Sequence, residues 1–571
     1  MIKSNLDWQK YLLFAGMAAV AFMLLLRYSD FRDQKKVAID TTTISATNTP
    51  TTVSAIQAST PEVLADSGMI PQSPDEESLV STDNAPQQKM IHIVTDSLDV
   101  LIDRQGGDII KVALPHHFAQ IDTPDQPFVL LNRTENTTYI AQSGLIGVNG
   151  TDKPGQRPLF ASTNTEYRML DGEDTLEVIL SIQQGDVAIE KVFTFRRGDY
   201  LIDLQYRLNN QSDNTWKGNM YAQILRDTHA PATDAGIGMQ PFLGAALTTK
   251  EENYRKFNFD DIEEQKFKET VNGGWVAMVQ HYFISAWVPD QEQENRFTLQ
   301  NFKTNNLYSL GFTTPRLTIN SGDQGTIGAS FYAGPKDVYR LEEIAPYLDL
   351  TVDYSWLWWV AKPLSHFLYF IYDFVGNWGL SIIILTMAVK AVFYKLSATS
   401  YRSMANMRKI QPQMVRMKEL YGSDRARMSQ EMMKLYKKEK VNPMGGCLPV
   451  LVQMPVFLAL YWVLMESVEL RHTSFLWLGD LSVKDPYFIL PLLMGLTMFI
   501  QMKLNPTPPD PTQAKIMQMM PIAFTFLFMW FPAGLVLYWV TNNTLSICQQ
   551  YVITKNIENA GKDKEEQLPS D

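Results

Sequence analysis

Lys390 is the residue whose type and position most need explaining. It lies within Ser381-Ile-Ile-Ile-Leu-Thr-Met-Ala-Val-Lys-Ala-Val-Phe-Tyr394, an otherwise apolar run. A lysine near the middle of a membrane helix costs about 2.5–3.5 kcal/mol on insertion scales, which makes it a functional-site candidate by default. Thr386, four residues earlier, shares its helical face. A later apolar run carries Asn542, Ser546 and Gln549 at i, i+4 and i+7, with Asn543 and Gln550 beside them, and Gln453 places an amide in a third run. Polar groups in hydrocarbon must find partners or water, so these faces are expected to converge on a hydrated bundle interior. Two plainer readings stay open at this level. Lys390 is five residues from Lys395 and can snorkel towards an interface, and the amides can simply join helices.

Other chemistry is scarce. No phosphate-binding loop, nucleophile elbow or metal-ligand spacing occurs, so no cofactor, metal or catalytic residue is expected and the chain does not read as an enzyme. His92, His116, His117, His229 and His281 show no ligand pattern, and the two cysteines, Cys447 and Cys548, both fall in apolar segments. Eighteen of the 27 methionines lie beyond residue 386. Thioethers adapt to varied apolar partners, although any single methionine is more often helix filler.

The elements that must position these residues divide the chain in two. Tyr11 to Leu26 is an apolar run without a following Ala-x-Ala site, so residues 1–30 read as an uncleaved signal anchor. Residues 31–88 are rich in Thr, Ser, Pro and Ala, the composition of a flexible tether. Residues 89–350 alternate with period two in Leu98–Asp103, Leu176–Ser181, Val192–Phe195, Leu201–Leu208, Gly274–Val279 and Gly325–Phe331. That pattern predicts a large antiparallel β-sandwich. Residues 351–375, with Trp356, Trp358, Trp359, Phe367 and Phe370 interrupted by Lys362, Pro363 and His366, suit an amphipathic interfacial helix.

Five apolar spans follow at 376–396, 447–468, 486–504, 516–532 and 534–554, each near the ~20 residues that cross a bilayer. The first two flank a basic helical hairpin, 397–443, turning at Tyr421-Gly-Ser-Asp424. Its cations include Arg402, Arg408, Lys409, Arg416, Arg425 and Arg427. From Lys395 to Lys440 there are 12 Lys/Arg and 4 Asp/Glu, a local +8 that leaves −19 elsewhere in a chain of net −11. The positive-inside rule then places the hairpin in the cytoplasm, the β domain outside, and both termini, with the tail 555–571, inside. The fold class expected is thus α+β: one external β domain and a membrane domain, with six transmembrane helices in all.

Five stretches carry a resemblance: Asn377-Trp-Gly-Leu-Ser-Ile-Ile-Ile384, Gln430-Glu-Met-Met433 with Leu435-Tyr436, Val441-Asn-Pro-Met-Gly-Gly-Cys-Leu-Pro449, Gln453-Met-Pro-Val-Phe-Leu-Ala-Leu460 and Trp530-Phe-Pro-Ala-Gly-Leu-Val-Leu-Tyr538. From about 354 to 554 the chain resembles the YidC/Oxa/Alb family of membrane protein insertases, and its preceding β domain matches the arrangement of Gram-negative members, whose periplasmic domain is a β-supersandwich similar to sugar mutarotases. The resemblance implies five core spans around a hydrophilic groove holding Lys390, Thr386, Gln453, Asn542, Asn543 and Ser546. It implies an apolar client-contact slide at Met454, Phe457, Leu527, Phe528 and Trp539. The partners implied are nascent membrane proteins, Sec translocon components, membrane lipids, and the ribosome or signal recognition pathway through the hairpin; DNA is not. The localisation implied is the inner membrane, with insertion and chaperoning of new membrane proteins as the function. Relatives often carry arginine at the Lys390 position; lysine keeps the charge and loses the bidentate fork. Two other classes stay in view: a secondary transporter using Lys390 as a proton or anion site, and a tethered periplasmic carbohydrate-active protein.

Overall fold

The computed structural model describes residues 89–565 apart from 154, 230–240, 265, 304–305, 422–423, 440–447 and 506–510. The expected signal anchor and tether, 1–88, and the end of the tail lie outside the described residues. The described chain divides near residue 352 into a β-rich unit and a helical unit.

In the β-rich unit every segment singled out for alternation is a strand, because period-two patterning buries one face of each. Leu201–Asn210, for example, buries Ile202, Leu204, Tyr206 and Leu208 and turns Gln205 outward. Among the described residues the strands form an eleven-stranded and a nine-stranded sheet, antiparallel but for one parallel pair at an edge. The sheets face each other: Tyr139 Oη on the larger meets Ser285 Oγ on the smaller at 2.7 Å, and the Trp287 indole donates to the Gln223 carbonyl at 3.1 Å. Trp275, Trp287, Phe193, Phe195, Phe297 and Phe331 fill the core.

That core also encloses charge. Arg157 donates to Asp108 at 2.7 Å and lies 2.7 Å from Asp152, all three buried. The fully buried Lys191 ammonium donates to the carbonyls of Gly106, Gly107 and Ser143 at 2.9, 2.8 and 3.2 Å. Burial pushes Lys191 down to about 7, with Asp108 pulling the other way. Gly107 has φ +64°, and a Cβ there would meet the Lys191 side chain at 2.9 Å, so glycine is what lets the backbone approach the ammonium.

In the helical unit α1 spans Trp358–Val375 and α2 Trp378–Val392. The joint is set locally. Gly376 takes the left-handed conformation, its N–H bonds Tyr372 O at 2.7 Å, and the Asn377 side chain caps α2 by accepting from Leu380 N at 3.0 Å. Trp378 then stacks on Tyr372 at 4.1 Å. A Cβ at Gly379 would lie 2.3 Å from the Phe475 ring, which accounts for the third residue of Asn-Trp-Gly.

Helices α3 (Tyr394–Tyr421) and α4 (Arg425–Lys438) form the hairpin. Asp424 caps α4, accepting from Ala426 N and Arg427 N. Ile410, Met414 and Leu435, with Met407, Met417, Met432 and Tyr436 around them, hold the pair together. Then come α5 (Leu448–Glu466), α6 (Ile489–Leu504), α7 (Pro511–Phe528) and α8 (Ala533–Glu565). Loop carbonyls receive the first amides of α8: Ala533 N bonds Val483 O at 2.7 Å and Gly534 N bonds Leu481 O at 2.9 Å.

The helices depart from the sequence expectation in three ways. Among the described residues, no single helix is long and apolar enough to cross a membrane; α2 and α3 pass that test only as a pair bent by 68° at Phe393. At 15 residues α2 rises only about 23 Å, against a hydrocarbon core of about 30 Å. No proline or glycine sits at this break; it falls where the apolar run gives way to Tyr394-Lys395-Leu-Ser397 and an amphipathic helix leaves in a new direction. The hairpin therefore begins at Tyr394 rather than 397, and α8 runs past 554 to Glu565 because no proline stops it.

Candidate functional site

Lys390 occupies the last turn of α2, so its charge complements the helix's C-terminal partial charge, worth about 0.3–1 kcal/mol. It is 8% exposed, and its Nζ lies 2.7 Å from Ser546 Oγ on α8. Ser546 in turn donates to Asn542 O at 2.7 Å, and Tyr401 of α3 lines the same recess. A cation, a serine and a tyrosine from three helices thus face one recess.

They border a half-open cavity of about 340 Å³ lined by residues of α2, α3, α5, α6, α7 and α8. Its polar lining is Lys390, Ser397, Ser400, Tyr401, Gln453, Gln501, Asn505, Asn542, Asn543 and Ser546. Its apolar lining is Phe457, Tyr538, Trp539, Pro521 and six methionines, Met404, Met454, Met498, Met502, Met517 and Met520. Trp539 is held edge-on by Phe457 at 4.8 Å and by Phe528 at 5.8 Å.

The polar stripe of α8 resolves into two roles. Asn543 donates to Thr497 Oγ1 at 3.3 Å, Gln550 to Leu504 O at 3.2 Å and Asn505 Oδ1 at 3.0 Å, and Gln549 to Tyr394 O at 3.3 Å. Those three amides join helices. Asn542, Gln453 and Gln501 line the cavity with side-chain amides that have no hydrogen-bond partner among the described residues. Both sequence readings of the stripe are therefore present, on different residues.

Three of the expected site residues lie away from the cavity lining. Thr386 does not line the cavity: it is 1% exposed and its hydroxyl donates to Ile382 O of its own helix at 2.6 Å, a one-turn back-bond that i,i+4 spacing alone does not reveal. Leu527 and Phe528 do not line it either. Phe528 is buried against Phe531 and Trp539, while the outward apolar row of α7 is Met519, Ile522 and Phe526. Sequence reading missed Ser397, Ser400, Tyr401, Gln501 and Asn505. The i,i+4 pairs Ser397–Tyr401 and Gln501–Asn505, each at the edge of an apolar run, were the signal for four of them.

On the hairpin, Arg402, Arg408, Lys409, Arg416 and Arg427 are exposed; the Arg425 side chain lies outside the described residues. In the β domain His92 pairs with Asp99 at 2.9 Å and His117 with Tyr200 Oη at 3.3 Å. No metal-binding cluster occurs among the described residues.

Residues 90–367 match the family described as YidC periplasmic domain, and residues 370–560 the family described as 60Kd inner membrane protein. A relative from Cellvibrio japonicus, named Membrane protein insertase YidC, is 56% identical over 97% of this chain and 99% of its own. One of the same name from Marinomonas sp. is 50% identical over 97% and 100%. Among solved structures, "Active YidC insertase crystal structure with the first transmembrane domain resolved" aligns at 19% identity and a TM-score of 0.36, covering 82% of this chain and 92% of that one.

Proposed function

The chain belongs to the YidC family of membrane protein insertases, and from that membership and its cavity we propose that it inserts and chaperones newly made proteins of the inner membrane. The observation that carries this reading is the divided cavity: a buried lysine and open amides on one side, methionines and aromatics on the other, among apolar helices. A client's apolar segment rests against Met454, Phe457 and Trp539, while its polar flank enters beside Lys390, Gln453, Asn542 and Ser546. Phe528 supports Trp539 from behind, and Leu527 lies beside that support. Thr386 spends its hydroxyl on the backbone of α2 one turn before Lys390.

The energetics need no nucleotide. Each unsatisfied backbone group costs several kcal/mol in hydrocarbon, so a wet recess that shortens the polar tail's path lowers the barrier. Twenty apolar residues at about −0.3 to −0.6 kcal/mol each return about 6–12 kcal/mol on entering lipid, which drives release. In this reading α1 lies at the membrane interface, residues 376–554 supply five spans and the anchor 1–30 a sixth. The β domain is periplasmic, and the hairpin and both termini are cytoplasmic. The hairpin's exposed cations suit anionic partners there, such as ribosomal RNA, the signal recognition pathway or lipid headgroups, and the Sec translocon is a lateral partner in the membrane.

Photoreactive residues at Met454 and Trp539 test the reading. Both are expected to form adducts with a stalled nascent membrane protein, and the outward-facing Ile522 far fewer. Absence of adducts from both cavity positions would overturn it.

A further inference from the structure

Three side-chain amides in the cavity have no protein partner among the described residues. Gln453 comes from α5, Gln501 from α6 and Asn542 from α8, and among the described residues none of their side chains makes a hydrogen bond. Around them Lys390 is engaged with Ser546, Asn543 with Thr497 and Asn505 with Gln550, while Ser397 Oγ and the Trp539 indole N–H are also without a partner among the described residues. A primary amide both donates and accepts, and so does each residue of a polypeptide backbone. Carboxamides from three helices therefore match a guest that presents both N–H and C=O groups, with no preference for its side chains.

Backbone chemistry decides which form of chain fits. A helix spends its N–H and C=O groups on its own i→i−4 bonds and offers none to the amides. An extended strand exposes both edges, with N–H and C=O groups free to pair.

Resting on the insertase reading above, we propose that the cavity takes the client's polar flank as an extended chain, bound through its backbone by Gln453, Gln501 and Asn542. The methionine wall opposite accommodates whatever side chains the passing segment carries. Selection is then by conformation rather than by sequence: flanks that must stay helical are poor clients, and flanks that unfold easily are good ones.

The test uses the full-length protein in proteoliposomes with one client in three forms: a flexible polar tail, the same tail locked helical by hydrocarbon staples, and a tail cut to a few residues. Protease protection reads insertion. The wild type is expected to insert the flexible tail at least tenfold faster than the stapled one. A triple variant, Gln453→Leu, Gln501→Leu and Asn542→Leu, is expected to slow the flexible tail at least fivefold more than it slows the short-tailed client. Equal rates for stapled and flexible tails on the wild type would overturn the inference, and this arm does not depend on any variant folding. So would a triple variant that inserts the flexible tail normally. Failure of the wild type to insert any of the three forms would overturn the insertase reading itself, and this inference with it.

Discussion

At the scale of residues, two buried lysines show how surroundings set the role of a charge. Lys390 has a single hydroxyl partner and faces a cavity, so its charge remains available to a guest. Lys191 is held by three backbone carbonyls deep between the sheets, and its charge is spent on structure. Replacing Lys390 with Met keeps the bulk and removes the cation. Insertion of a client with an acidic tail is expected to fall about tenfold, that of a neutral tail much less, and Lys390→Arg to restore most of the loss. Equal losses for both tails in a protease-protection assay would show that Lys390 serves packing alone. For Lys191 the prediction concerns pH. Burial lowers its pKa from 10.5 to about 7, so between those values the unfolded chain binds the extra proton and the folded chain does not. Stability must therefore rise with pH from about 7 to 9.5, by at most about 1.4 kcal/mol per pH unit. Urea unfolding of the detergent-solubilised protein, read by the buried Trp275 and Trp287, is expected to show that slope, and Lys191→Met to flatten it.

At the scale of elements, the hairpin makes a sharp case. An isolated 14-residue helix is marginal in water, so α4 depends on its contact with α3. That contact is essentially Leu435 set between Ile410 and Met414. Leu435→Asp places a carboxylate there without a partner and is expected to free α4 from α3 while leaving the membrane helices intact. Limited trypsin digestion should then cleave between residues 416 and 438 at least tenfold faster, with the β domain protected as in wild type. Elements also show what sequence makes legible. Strands such as Leu201–Asn210 announced themselves because alternation is a local signal and each face has one fate. At the expected hairpin turn α3 ends at Tyr421 and Asp424 caps α4, and Gly422 and Ser423 lie outside the described residues. The break at Phe393 was not legible, because no breaking residue marks it and the change of direction depends on what α3 packs against. Thr386 shows the same limit. Its spacing from Lys390 placed it on the right face, but a threonine hydroxyl has its own helix's carbonyl within reach, and spacing cannot say which partner wins. Gln501 and Asn505 carry a local signal in their i,i+4 spacing, but that they face the site is set by tertiary packing, which brings α6 beside α8.

At the scale of the whole molecule, the charge distribution carries the strongest consequence. The segment 395–440 holds +8 and the rest of the chain −19. Carrying that basic hairpin across a bilayer would mean desolvating a dozen cations, whereas the acidic β domain has no comparable bar to export, so one orientation is strongly favoured. The helices leave a real question about the number of crossings, since α2 is short and α2 and α3 are bent against each other. Parity resolves it. If α2, α5, α6, α7 and α8 each cross once, four crossings separate the hairpin from the C-terminus, which returns to the hairpin's side. In a background where Cys447 and Cys548 are serine, single cysteines at Asp213, Glu419 and Asp571 probe the β domain, the hairpin and the tail. An impermeant maleimide added to spheroplasts is expected to label 213 alone, and added to inverted vesicles to label 419 and 571 alone. Labelling of 571 from the spheroplast side would mean an odd number of crossings after the hairpin. One of α5 to α8 would then fail to span, and the cavity they enclose with α2 would have to open to the other face of the membrane.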